Sequence, residues 1–418
     1  MKRKNHWVLF AILLLALINL SPSETSTLTR SEDYDEAEPV APQNQETEQD
    51  LGTISVAVQL PEDEFLRLQQ INEKVMDEYR VQVELTNLPP EDNEASIRQK
   101  LALGDSPDIL LLNNAWIRRF ASAGYLLPTE SYYSGSLSGE VLSASLNQSE
   151  WNGYIWAVPM DADPYVLIYN PESLKKLGTE LPASKNAWQD LIAAFKKQQS
   201  SPYIFALDYR DPYAFMSLLW QLTGQAKPAE ATSLFKPTED VKAAVEQLDE
   251  LRPNIADFLG AEGEEGIWNK LYNGEAVFAL VKWSDAASHP HANIRVVYPD
   301  RESQAGAMWI GGRSYAVSAR SDNTEAAGVW TSAMTSQLQQ RTWYDETGYL
   351  PVLKTMYYQA ARNGLPSWIP ASLVNGKGTP LPAGAGIPSS MEKYAQLSSA
   401  FLNGELGVKP YLERLNEM

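Results

Sequence analysis

Strands and helices alternate between residues 53 and 112, and no other feature of the sequence constrains the fold as strongly. Thr53 to Val58 alternates as a strand. Pro61 followed by Glu62, Asp63 and Glu64 starts a helix, since proline lacks only an N–H that the first turn leaves unbonded, and acids there offset the helix dipole. Its apolar positions Phe65, Leu68, Ile71, Val75 and Tyr79 recur every three or four residues. Val81, Val83 and Leu85 form a second strand, Ile97 and Leu101 lie on a second helix stopped by Gly104, and Ile109 to Leu112 is an unbroken apolar run suited to a strand covered on both faces. Asp108, at the entrance of that strand, reads as structural. The pattern predicts a doubly wound parallel sheet. Its ligand is expected beyond the carboxyl ends of the strands, at Gln59 to Asp63, Asn87 to Glu91 and Asn113 to Trp116.

Residues 151–170 form a crossing. Trp151, Gly153 and Tyr154 suit a turn, Ile155 to Val158 a short strand, and Tyr165 to Tyr169 an apolar strand ended by Asn170-Pro171. Between the two strands lie Pro159, Asp161, Asp163 and Pro164. These two carboxylates either cap a turn or face a ligand. Beyond the crossing come helices at Ala187–Lys197, Pro212–Leu222, Val241–Leu251 and Glu264–Tyr272, interleaved with strands at Tyr203–Leu207, Ala276–Val281 and Ile294–Tyr298, a second α/β unit. A strand at Ser314–Ser318 and helices at Glu325–Thr335, Gln337–Asp345, Ser389–Leu402 and from Lys409 onward complete the chain.

At 418 residues the chain suits two domains or one bilobed body. Fifty-three acids against 34 bases give a net charge of −19, which argues against nucleic acid or anionic lipid as a partner held by a general field. There is no cysteine, so disulfides and thiolate chemistry are excluded; of the three histidines, His289 and His291 flank Pro290 in a turn, and no metal or other cofactor is expected. Lys2, Arg3 and Lys4 precede the apolar run Trp7 to Leu20, so residues 1–23 read as a secretory signal peptide or N-terminal anchor. Residues 24–50, with nine acids and one base, read as a disordered acidic tether.

Several segments stand in a set order: Gly104 to Ile109 with Ala123 to Leu126, Gly153 to Pro159 running into Leu167 to Asn170, Ala187 to Leu191, and Asn273 to Ala276 leading to Trp283. Gly311-Gly312, Glu325 to Ala327 and Gly348 to Pro351 follow. Together, in this order and spacing, they resemble the family 1 extracellular solute-binding proteins of ABC importers, the maltodextrin-binding group among them. The resemblance implies an α/β, two-lobed, periplasmic-binding-protein-like fold, with hinge strands and a ligand cleft between the lobes. The first lobe is expected at 51–162 with 307–335, and the second at 163–306 with 336–418. The crossing becomes the hinge.

The resemblance also points to ligand-binding residues. A pyranose offers an apolar face and a rim of hydroxyls, so its site needs flat aromatics and carboxylate, amide or guanidinium groups. Asp163 takes the position where such relatives present an acid. Trp283 follows a strand where an aromatic stacks on the ligand, and Asp211-Pro212-Tyr213 matches an acid-Pro-Tyr element, although Asp before Pro also starts a helix. Trp116 and Trp309 follow a strand or lie in the hinge, and Gln59 and Glu62 border the first strand's carboxyl end. Trp188, Trp220, Trp268 and Trp330 sit at helical positions and read as core. Val281-Lys282 depart from the Gly-rich approach usual before the Trp.

The function expected is capture of a carbohydrate, an oligosaccharide, by hinge closure at the outer face of a cell membrane, with delivery to ABC permease subunits by a monomer that performs no chemistry. Two rivals stand beside it. One is a sensing subunit coupled to a signalling partner; the other is a secreted glycoside hydrolase using a pair such as Asp161 and Asp163, which would need a fixed carboxylate separation.

Overall fold

The computed structural model describes residues 51–198, 201–224, 234–258, 263–297, 309–358, 360, 362–366 and 384–418. The expected signal and tether, and the end of the strand expected at 294–298, lie outside the described residues. The strands are β1 (Thr53–Val58), β2 (Gln82–Asn87), β3 (Ile109–Asn113), β4 (Glu150–Trp151), β5 (Tyr154–Ile155), β6 (Val158–Pro159), β7 (Asp161–Tyr169), β8 (Tyr203–Leu207), β9 (Ile255–Asp257), β10 (Ala276–Lys282), β11 (Arg295–Val296), β12 (Ile310–Gly311), β13 (Arg313–Val317) and β14 (Leu350–Pro351).

The first sheet has the order β2-β1-β3-β13-β6. β1 runs parallel to β2 and β3, as the alternating pattern requires, but β13 pairs antiparallel with both β3 and β6. The sheet is therefore mixed, which corrects the purely parallel expectation. The physical reason is that β13 arrives from the crossing region and not through a helical crossover. The helix Glu62–Tyr79 buries Leu68, Ile71 and Val75 against this sheet, each worth about 1.5–3 kcal/mol when removed from water. The helix Thr324–Met334 packs beside it, and the buried Trp330 indole donates to Asn72 Oδ1 at 2.7 Å. Gly328 permits a close approach: a Cβ there would lie 1.9 Å from the Tyr132 carbonyl oxygen. Asp108 is structural, accepting from the Ser55 N–H and hydroxyl, both at 2.8 Å, and from the Ser321 hydroxyl at 2.6 Å.

The second sheet runs β11-β7-β10-β8-β9. Its core includes the rings of Trp188, Phe205 and Phe278, whose centroids lie 5.2 to 6.0 Å apart. Trp188, Trp220, Trp268 and Trp330 are all buried.

The crossing differs from its expected form. A β4–β5 hairpin turns at Asn152 and Gly153, both at positive φ, and β7 is a nine-residue strand that contains Asp161, Asp163 and Pro164. Those residues are not a loop between strands, because β7 finds partners along its whole length: Asp161 and Ala162 pair with β14, Asp163 and Pro164 with β12, and Tyr165 to Tyr169 with β10. Pro164 is tolerated because the neighbouring Tyr165 N–H supplies the ladder bond, to the Trp309 carbonyl at 2.9 Å. Gly312, at φ +139°, lies so near this strand that a Cβ would sit 2.3 Å from the Asp161 carbonyl oxygen.

Candidate ligand-binding site

Asp161, Asp163 and Tyr165 alternate along β7 and so share one face of it. Around Asp163 and Tyr165 opens a cavity of about 540 Å³, within the size range of small-molecule sites. Gln59, Pro61 and Asn113, at the carboxyl ends of β1 and β3, line it together with Asp208, Arg210 to Tyr213 and Lys282, and Gly311 to Arg313 with Tyr349 complete the lining.

One wall is aromatic. The ring centroids of Tyr213 and Trp309 lie 4.5 Å apart, those of Tyr165 and Tyr213 6.2 Å, and Trp220 stacks behind Trp309 at 6.4 Å. Trp309 is 3% exposed, so it backs the wall more than it presents a face.

The polar groups of the cavity differ sharply in how firmly they are held. The Asp163 carboxyl accepts from Ser284 twice, from its N–H at 2.9 Å and its hydroxyl at 2.7 Å. Ser284 lies in the first turn of the helix Trp283–Ser288, so Asp163 caps that helix from across the sheet. Burial pushes the Asp163 carboxyl up to about 6, against the pull of Lys282 and the two Ser284 donors. Asp211 caps the helix Pro212–Thr223 through the N–H groups of Tyr213 and Ala214, and its second oxygen accepts from the Tyr165 hydroxyl at 2.6 Å. Burial raises its pKa too.

Arg313 is the most constrained cation. It donates to Asp161 from Nε at 3.0 Å and Nη2 at 2.6 Å, and to Glu64 from Nη1 at 3.1 Å, while its guanidinium lies 4.0 Å from the centre of the Tyr349 ring. Burial opposes its charge, but Asp161 and Glu64 outweigh that and hold its pKa well above the usual range. Lys282 behaves differently. Burial again opposes the charge, and the carboxylates of Asp211, Asp163 and Asp285 raise its pKa. Among the described residues, no hydrogen bond or ion pair holds its ammonium in place.

Of the residues expected from the sequence, Asp163, Asp211, Tyr213, Trp309 and Gln59 line the cavity. The Gln59 amide already donates to the carbonyls of Pro89 and Asp92 at 2.6 and 2.8 Å. Trp283, Trp116 and Glu62 are not part of the lining. Trp283 begins a helix one residue past Lys282, so Lys282 takes the wall while the indole packs against the core of the second sheet. Trp116 packs in the cluster around Ile117 and Phe120, and Glu62 stands exposed on the first turn of its helix. Sequence reasoning missed Tyr165, Lys282, Asp208, Arg210, Arg313 and Tyr349. Tyr165 was legible by period two from Asp163. Lys282 was not, because only the register that sets it opposite Tyr165 brings it to the cavity. Among the described residues no cluster of three His, Asp or Glu side chains suits a metal ion, and His289 and His291 stack on Trp268 and Tyr272 at 4.3 and 4.0 Å.

The sequence profile of the family described as "Bacterial extracellular solute-binding protein" matches residues 67–364. The chain belongs to this family. Among relatives, the solute-binding protein is 24% identical over 137 residues to the maltotriose-binding protein of Pyrococcus abyssi, a match covering 32% of this chain and 29% of that one. It is 20% identical over 290 residues to the multiple sugar-binding protein of Streptococcus mutans, covering 64% and 67%. The chain thus spans less than a third of the first relative's length and about two thirds of the second's. The GacH receptor of Streptomyces glaucescens superimposes with a TM-score of 0.69 at 22% identity, over 88% of this chain and 97% of that one. The fold is the two-lobed one of solute-binding proteins, with the cavity lined by strand and loop residues of both sheets.

Proposed function

We propose that this solute-binding protein captures a neutral oligosaccharide between lobes at 51–162 with 307–335 and at 163–306 with 336–418, and presents it to ABC permease subunits at the outer face of the membrane. One observation carries the reading: a cavity whose aromatic wall of Tyr165, Tyr213 and Trp309 adjoins the polar rim of Asp163, Asp211 and Lys282. The partly exposed ring of Tyr213, held by the buried Tyr165 and Trp309 behind it, suits the C–H face of a pyranose, and the rim suits its hydroxyls. The printed names of the relatives, maltotriose-binding and multiple sugar-binding, support the same class. We read the protein as a binder and not a catalyst, in keeping with its family of solute-binding proteins. The test is a thermal-shift screen of the chain against mono- and oligosaccharides, polyamines and short peptides, since a ligand bound only by the folded state raises the melting temperature. A shift with a sugar class is expected; a shift with polyamines or peptides alone overturns the reading.

A further inference from the structure

Adjoining the main cavity is a second one of about 210 Å³, and the two share the lining residues Tyr165, Asp208, Asp211 and Lys282. These four stand at the partition where the two cavities meet. The Tyr165–Asp211 half of the partition is stiff: the hydroxyl bonds the carboxylate at 2.6 Å, and that carboxylate is tied to the start of a helix. Tyr165 is also ringed by Tyr213 and sits in the β7–β10 ladder. The Lys282 half is not stiff. Its backbone is fixed at the end of β10, opposite Tyr165, but among the described residues its ammonium has no direct hydrogen bond and no ion pair, and its side chain lines both cavities. Only the longer-range pull of Asp211, Asp163 and Asp285 acts on it, which leaves the four-methylene stem more freedom than the hydrogen-bonded Tyr165 has. Beyond the partition, Phe258, Leu280 and Val281 supply an apolar floor and Asp285 an acceptor.

At about 210 Å³ the rear cavity falls below the ~300 Å³ at which independent ligand sites begin, so it can serve only as an extension of the main one. We propose that Lys282 is a specificity-determining residue, a gate whose bulk decides whether the end of a ligand chain held in the main cavity reaches the rear cavity. The carboxylates Asp208, Asp211 and Asp285 around that space give it a negative field, which favours a neutral sugar over an acidic one. This inference rests on the sugar reading of the main cavity, and it adds a determinant of chain length.

The test is titration calorimetry of the full chain and of Lys282→Ala and Lys282→Met, with glucose and galactose oligomers from disaccharide to pentasaccharide, each variant first checked by thermal melting. In the parent, affinity is expected to stop rising at one chain length. In Lys282→Ala it goes on rising, by about tenfold for the next unit, the discrimination a pocket commonly achieves for one added group. Lys282→Met, which keeps the stem, retains the parent's limit. An identical limit in the parent and Lys282→Ala, with both binding, overturns the gate and leaves the sugar reading intact. A limit moved as far by Met as by Ala assigns the effect to charge and overturns the steric gate. Failure of the parent to bind either series overturns the sugar reading and this inference together.

Discussion

Arg313→Met removes a guanidinium from the point where three chain segments meet and leaves most of its apolar stem. In the parent, Arg313 joins Asp161 on β7 to Glu64 on the first helix, and the two side chains of its shorter pair are 15% and 1% exposed. The substitution leaves the Asp161 carboxylate buried, with only the Arg313 backbone N–H at 2.9 Å and the Trp343 indole at 3.2 Å as donors. Removing one partner of a buried ion pair costs about 3–5 kcal/mol, because the other charge is left uncompensated. Loss of the stack on Tyr349 adds about 0.5–1 kcal/mol. At roughly 2 cal/mol/K of unfolding entropy per residue, a body of residues 51–418 loses about 5 °C of melting temperature for 4 kcal/mol. Scanning calorimetry of the parent and Arg313→Met measures this directly. The double variant with Asp161→Asn supplies the control: with the buried charge gone, it is expected to melt above Arg313→Met alone, a coupling of about 1 kcal/mol or more. A single variant within about a degree of the parent, or a double variant whose losses simply add, would refute the reasoning.

Other consequences follow from the same geometry. Asp163 binds a proton more readily in the folded state, at about 6 against an ordinary 3.8, so its share of stability falls as pH rises between roughly 4 and 6 and stays low above that. Asp163→Asn should flatten that part of the melting curve against pH and melt no lower than the parent at pH 7; an unchanged slope assigns the pH dependence elsewhere. Tyr213→Ala should weaken sugar binding by at least ~1 kcal/mol, about fivefold, whereas Trp283→Ala, outside the cavity lining, should change it less; calorimetric titration that ranks them in reverse refutes the assignment of the aromatic wall. Asp211→Ala should lose about 1 kcal/mol of stability as a missing helix cap, and Asp211→Asn, which keeps an acceptor for the Tyr213 N–H, much less; equal melting temperatures for the two contradict the capping role.

Much of the architecture was legible along the chain because it depends on neighbours in sequence. The apolar rows of Leu68, Ile71 and Val75, the acids after Pro61, the stop at Gly104 and the Asp-Pro start at Asp211 each settle a local hydrogen-bonding or burial question within a few residues. Asp211 shows the limit. Its sequence context indicated a cap and a ligand-facing acid equally; the structure shows the cap, to Tyr213 and Ala214, and sets the residue in the lining of the cavity.

What the sequence by itself determined is therefore most of the longer strands and helices, their core faces, and the polar and aromatic residue types available to a site. Only the tertiary structure decided that β13 joins the first sheet antiparallel, that Asp161 is matched by Arg313 and Asp163 by Ser284, and that Lys282 instead of Trp283 faces the cavity. Those outcomes depend on partners more than a hundred residues away. Strand register and the twist of one segment past another choose those partners, and a local pattern carries no record of either.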